Sequence, residues 1–179
     1  MNNFNHFAER LESGARKALP YGLLIVLLLL NSVPMPFIAG GQVKAPFFLM
    51  GIYYWSIYRP TLIPPWMAFA AGLAADFIGG LPLGFSAASY VLAQWLVTDQ
   101  RRFLMGQSFA MIWFGFLVLT VFISLIQWLI FAVINFALTP LKPIFFSLLF
   151  GQALFPLICV CVHWTHRMLP TPARVLEPR

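Results

Sequence analysis

Asp76 is the acidic residue of this chain that stands inside an apolar segment. A carboxyl there must be paired, hydrated or neutralised, so it can handle protons or ions, or accept hydrogen bonds that hold a structure together. Small residues frame it: Ala68, Ala71, Gly72, Ala75, Gly79 and Gly80. Ala68, Gly72 and Asp76 fall at i, i+4 and i+8, so the carboxyl shares a helical face with side chains small enough for another helix to approach closely. A Gly79-Gly80-Leu81-Pro82-Leu83-Gly84 run follows and reads as a tight turn. The structural reading has Asp76 accepting hydrogen bonds from the backbone of that turn. A carboxylate near the C-terminus of its own helix is disfavoured by the helix dipole, so its partner is to be sought elsewhere. Structural or docking work is the expectation for this group, ahead of proton transfer.

Other reactive side chains form weaker patterns. Cys159, His163 and His166 lie at i, i+4 and i+7 on one helical face, with types and spacing that suit a metal. The same helix supplies no carboxylate, and His163-Trp164 stands where interfacial aromatics are expected, so no metal is predicted. Cys159 and Cys161 point to different faces and are not expected to pair. Asp76 and Asp99 lie at opposite ends of a hairpin, which rules out a paired-carboxylate site. Neither a Ser-His-Asp arrangement, nor a phosphate-binding glycine loop, nor HExxH occurs. The chain reads as no enzyme, with no cofactor.

Composition sets the environment. Of 179 residues, 61% are hydrophobic and 9% charged, against the roughly 25% charged residues that a soluble surface requires. Mean hydropathy is +0.85. The chain is an all-α integral membrane protein whose main partner is the lipid bilayer. Its net charge of +6 is read as orientation signal and not as nucleic-acid binding.

The apolar runs predict about six transmembrane helices in one bundle over residues 19–165, between a cytoplasmic tail at 1–18 and another at 166–179. In the first tail Phe4, Phe7 and Leu11 suit a short interfacial helix. The first span starts at Pro20 and runs to about Ile38, a signal anchor and not a cleaved signal peptide. The second runs from about Pro46 to before Arg59, with Tyr53, Tyr54, Trp55 and Tyr58 as an aromatic belt at its end. Residues 66–79 and 83–97 then form a pair of short segments, about 22 Å each as helix against a core of about 30 Å. An Asp at a span centre costs ~2.5–3.5 kcal/mol, while each Leu, Ile or Phe returns ~0.3–0.6 kcal/mol. That pair therefore enters as a hairpin, spans three and four, closed by residues 99–102; crossing twice and re-entering leave the same charges inside, so both readings stay open. Long runs at 108–138 and 144–164 complete the bundle.

Orientation follows from the basic residues. With both termini cytoplasmic, Arg10, Arg16, Lys17, Arg59, Arg101, Arg102, Arg167, Arg174 and Arg179 lie inside, and Lys44 and Lys142 outside. Arg59 then stands on the side opposite Asp76 and is a poor partner for it.

The central stretch carries a family pattern. Tyr54-Trp55, Arg59-Pro60, Pro64, the run 71–76, Gly79 and Pro82-Leu83-Gly84 resemble the central signature of the rod shape-determining MreD family. The resemblance implies a multi-pass component of the bacterial inner membrane that acts in lateral peptidoglycan synthesis without a reaction of its own. It implies an MreC-like scaffold, an MreB-like filament, a RodA-type glycosyltransferase and a class B transpeptidase as partners. It also implies a fold similar to the substrate-binding S-components of energy-coupling-factor transporters. On this reading Ala68, Gly72, Asp76, Gly79, Gly80, Pro82 and Gly84, with Arg59 and Pro60, are structural or docking residues. The alternative is an S-component-like subunit that binds a vitamin-type molecule. Asp76, Ser86, Ser89, Gln94, Gln127 and Asn135 are the polar groups such a pocket would have, and the first span lacks the small-residue face expected for an energising partner.

Overall fold

The computed structural model describes residues 19–33, 35–36, 42–136 and 140–168. Six α-helices account for most of them: α1 (Leu19–Ser32), α2 (Phe47–Tyr58), α3 (Pro65–Gly79), α4 (Phe85–Leu104), α5 (Phe109–Asn135) and α6 (Lys142–Met168). A 3-10 turn at Pro60–Leu62 joins α2 to α3. Between α1 and α2, β1 (Met35–Pro36) and β2 (Gln42–Val43) form an antiparallel pair with Met35 opposite Val43. By length and composition, Phe109–Ile134 in α5 and Lys142–Thr165 in α6 can each cross a membrane, while Leu19–Ser32 and Pro65–Gly79 are shorter apolar helices. The amphipathic pattern at Phe4, Phe7 and Leu11, and the tail beyond residue 168, lie outside the described residues.

The architecture is built around α2. It is apolar all round, which makes a helix a core element and not an amphipathic one, and every residue from Phe47 to Ile57 is buried. α1 packs at Gly51, where a Cβ would stand 3.0 Å from both Leu24 and Leu27. α5 and α6 close on Tyr53, whose ring lies 5.4 Å from Phe116 and 5.8 Å from Phe155; those two stack at 4.3 Å. On the α4 side, Phe48 meets Tyr90 at 5.0 Å. Aromatic pairs of this kind contribute about 0.5–1.5 kcal/mol each beyond their buried area.

This enclosure corrects the aromatic-belt reading. Tyr53, Tyr54 and Trp55 are 1%, 3% and 0% exposed, and so belong to the core instead of a headgroup layer. The two tyrosine hydroxyls find protein partners. The Tyr53 hydroxyl donates to the Ile112 carbonyl at 2.8 Å, and the Tyr54 hydroxyl lies 3.2 Å from His163 Nδ1.

Two helix limits also differ from the hydropathy reading. α1 stops at Ser32 and does not run to Ile38, because Pro34 and Pro36 cannot continue a helical hydrogen-bond ladder. α4 continues through residues 99–102 to Leu104. Arg101 and Arg102 in its last turn suit the negative end of the helix dipole. Arg101 Nε also donates to the Ile57 carbonyl at 2.8 Å, which ties this end of α4 to the end of α2. At 20 residues α4 is about 30 Å long, so α3 alone is the short member of the hairpin.

The Tyr53 junction yields a prediction. Tyr53→Phe removes one buried hydrogen bond and lowers stability by about 1 kcal/mol. A Cβ on Gly115 would stand 2.6 Å from the Tyr53 hydroxyl, so Gly115→Leu overpacks the junction and costs about 1–3 kcal/mol. Thermal melts in detergent check both; a Gly115→Leu protein as stable as wild type would contradict this packing.

Candidate functional site

The site is the α3–α4 hairpin, which begins where Pro64 and Pro65 start α3 with Pro at its first helical position. Ala68, Gly72 and Ala75 form the buried face of α3. A Cβ built on Gly72 would lie 2.2 Å from Ala87 Cα and 2.6 Å from Ala87 N. The two helix backbones therefore meet at Gly72 and Ala87, and no side chain fits between them. The sequence marked Gly72 as a small-residue contact; it did not mark Ala87, which has no spacing signature of its own.

The turn is built by Asp76 twice. Gly80, at φ +63, takes the left-handed position that ends α3, and its N–H and that of Leu81 both go to the Asp76 carbonyl, Leu81 at 3.0 Å. This pattern satisfies carbonyl groups that a helix C-terminus otherwise leaves open. Gly84, at φ +98, then stands at the N-cap of α4 with no side chain to offer its first turn. The Asp76 carboxylate supplies the missing acceptors. Gly84 N–H donates to Oδ2 at 2.9 Å and Ser86 N–H donates to Oδ1 at 2.8 Å, with Asp76 itself 0% exposed.

The electrostatics follow from that geometry. The end of α3 disfavours a carboxylate, but the start of α4 presents free N–H groups and the positive end of its dipole to the same side chain. Hydrogen bonds to a charged acceptor contribute about 1.5–3 kcal/mol each. Two of them supply about 3–6 kcal/mol against the cost of burying the carboxylate. The partner is thus the next helix, with Ser86 as a donor beyond the 79–84 run. A sequence clue existed: Gly84-Phe85-Ser86 opens a helix without a capping side chain, so its N–H groups needed an acceptor from elsewhere.

The other predicted residues are placed differently. Gly79 has room for a side chain, its nearest foreign atoms lying 3.7 Å from a built Cβ. Pro82 is exposed, and its carbonyl accepts the Phe85 N–H at 3.2 Å. Arg59 and Pro60 lie at the far end of α3. There the Arg59 N–H closes α2 on the Trp55 carbonyl at 2.7 Å and Pro60 opens the 3-10 turn. The run from Pro65 to Asp76 separates that end from the carboxylate by about 16 Å of helix, so these two do not join the Asp76 site.

Of the polar groups considered for a ligand pocket, Ser89, Gln94 and Gln127 are committed to partners within the bundle. Gln127 Nε2 donates to Ser89 Oγ at 3.0 Å, and Ser89 donates to the Phe85 carbonyl at 2.8 Å. Gln94 Nε2 reaches the Ile63 carbonyl at 3.3 Å and Thr98 Oγ1 at 3.2 Å. The Asn135 side chain lies outside the described residues, as does that of His166. Of the remaining metal candidates, Cys159 is half-buried and His163 faces the Tyr54 hydroxyl.

Asp76→Asn keeps the shape but turns an amide NH2 toward one of the two backbone donors, and it lowers stability by about 1–3 kcal/mol. Gly72→Leu forces α3 off α4 and is more damaging still. Gly79→Ala, by contrast, stays within about 0.5 kcal/mol of wild type. Thermal melting of the purified proteins in detergent reads this ranking, and equal losses at Gly72 and Gly79 would contradict it.

Comparison with known proteins adds the lineage. No curated protein and no solved structure matches the chain significantly. The family described as rod shape-determining protein MreD matches residues 16–162, which takes in α1 to α5, the α3–α4 hairpin and most of α6. The chain belongs to the MreD family of membrane-associated, rod shape-determining proteins.

Proposed function

We propose that the chain works as a non-enzymatic component of the rod-shape and peptidoglycan elongation complex of a bacterial inner membrane. In this reading it crosses the membrane about six times with both termini in the cytoplasm. The α3–α4 hairpin fixes a surface on which transmembrane helices of an MreC-like scaffold or of the RodA-type and class B synthases dock, and through them an MreB-like filament. The family match over residues 16–162 carries this reading. Geometry supports it in one respect: α3 packs its small face on α4 and turns Trp66, Phe69 and Phe77 outward, at 70%, 48% and 83% exposed. At 15 residues α3 is about 22 Å long, short of a hydrocarbon core of about 30 Å, and a mismatch of that sign favours association with a partner helix.

The vitamin-binding alternative gains little from the apolar cavity of the bundle. Beside α4 and α5 a cavity of about 400 Å3 is lined by Leu96, Phe103, Leu119 and Phe122, with Tyr53 and Gln100 as its polar groups. The Tyr53 hydroxyl is already committed to Ile112. Such a lining lacks the convergent polar groups that fix a polar ligand.

Depletion of the protein in rod-shaped cells, followed by microscopy, tests the function: rounding is expected, and cells that stay rod-shaped while starving for a nutrient would overturn it. For the docking surface, Phe69→Ala with Phe77→Ala leaves the melting temperature unchanged and reduces co-purification of the partner membrane proteins by about tenfold, the equivalent of about 1.4 kcal/mol. Intact rod shape and co-purification in Asp76→Asn and Gly72→Leu cells would sink the docking idea.

A further inference from the structure

At the end of the molecule away from the Asp76 turn, a groove of about 710 Å3 opens between the α2–α3 connection and the last turns of α4. Its apolar wall is Pro60, Pro64, Pro65 and the exposed indole of Trp95. Its polar wall is Thr98, Asp99, Arg101 and Arg102, with Gln94 and Thr61 beside them. Three observations give this wall a chemistry. Arg101 donates Nε to the Ile57 carbonyl at 2.8 Å, which fixes its guanidinium and leaves the two terminal nitrogens available as donors. Arg102 is exposed, and among the described residues no ion pair ties either guanidinium to Asp99; that carboxylate instead takes a 3.4 Å hydrogen bond from Gln100. Thr98 Oγ1 accepts from Gln94 Nε2 at 3.2 Å, which leaves its hydroxyl proton to donate.

Two guanidiniums outnumber one carboxylate, and one of them is already held in place. A fixed arginine, a second arginine and a hydroxyl donor make a phosphate-binding set. The neighbouring tryptophan and prolines belong to a membrane interface, where an indole packs beside acyl chains at headgroup level. A basic pocket between helix ends at that depth selects a negatively charged headgroup. We infer that this groove binds the phosphate of an anionic phospholipid, with Arg101, Arg102 and Thr98 as donors and Trp95 against the glycerol and upper acyl region. This site stands apart from the docking surface on α3, and neither depends on the other.

The test uses the full chain purified in a neutral detergent. Its melting temperature is followed as phosphatidylglycerol, phosphatidylethanolamine, inorganic phosphate or a short polyglutamate peptide is added. Phosphatidylglycerol is expected to raise the melting temperature in a saturable way, and phosphatidylethanolamine to do so far less. Arg102→Gln weakens the phosphatidylglycerol response about tenfold, the loss expected of one charge-assisted hydrogen bond. Thr98→Val weakens it by a smaller factor. Both variants melt as wild type does without lipid, because neither side chain holds helices together as Arg101 does. Equal responses to the two lipids, or an unchanged response in Arg102→Gln, would overturn the assignment. So would stabilisation by inorganic phosphate alone, which makes the ligand a free anion, or by polyglutamate, which makes it an acidic protein segment.

Discussion

The pair of hydrogen bonds from Gly84 N–H and Ser86 N–H to the Asp76 carboxylate is the constraint on which the central hairpin depends. One side chain satisfies its own buried carboxylate and caps a helix that has no cap of its own. The same residue's carbonyl closes α3 through Gly80 and Leu81. Remove the carboxylate, and the start of α4 loses two acceptors at a place where little water can replace them. The positive-φ glycines at 80 and 84 are needed because the chain must turn sharply enough to bring α4's N–H groups back over the last turn of α3.

Packing then carries that local order into the bundle. With the turn closed, Gly72 and Ala87 bring the two backbones together, and α4 lies against α2 through Phe48 and Tyr90. α2 in turn holds α5 and α6 through the rings of Tyr53, Phe116 and Phe155. Close contact and buried hydrogen bonds hold these helices together, the interactions that carry helix packing wherever lipid replaces water. A hairpin whose outer helix is short is a natural place for a partner to complete the packing.

Much of this was legible in the residues and some was not. The membrane class, the hairpin around Asp76 and the close helix contact at Gly72 followed from composition, spacing and side-chain size. The family was legible by resemblance, because its signature lies in one short stretch, and the match over residues 16–162 bears it out. The burial of Tyr53, Tyr54 and Trp55 was not legible. Aromatics at a span end look the same in sequence whether lipid or neighbouring helices surround them, and tertiary enclosure decides. The extension of α4 past residues 99–102 was also hidden, because charged residues in a helix's last turn resemble a loop when only hydropathy is read. Gly79 shows the reverse error: it matched the small-residue pattern, yet the space around it is open.

The central claim is that the Asp76 carboxylate holds the amides of Gly84 and Ser86. Amide hydrogen exchange by NMR, on the protein labelled with nitrogen-15 in micelles, tests it most directly. Both amides are expected to exchange slowly in the wild-type protein and to lose most of that protection in Asp76→Ala, while amides in the middle of α2 keep theirs. Protection at Gly84 and Ser86 that survives Asp76→Ala unchanged would contradict it.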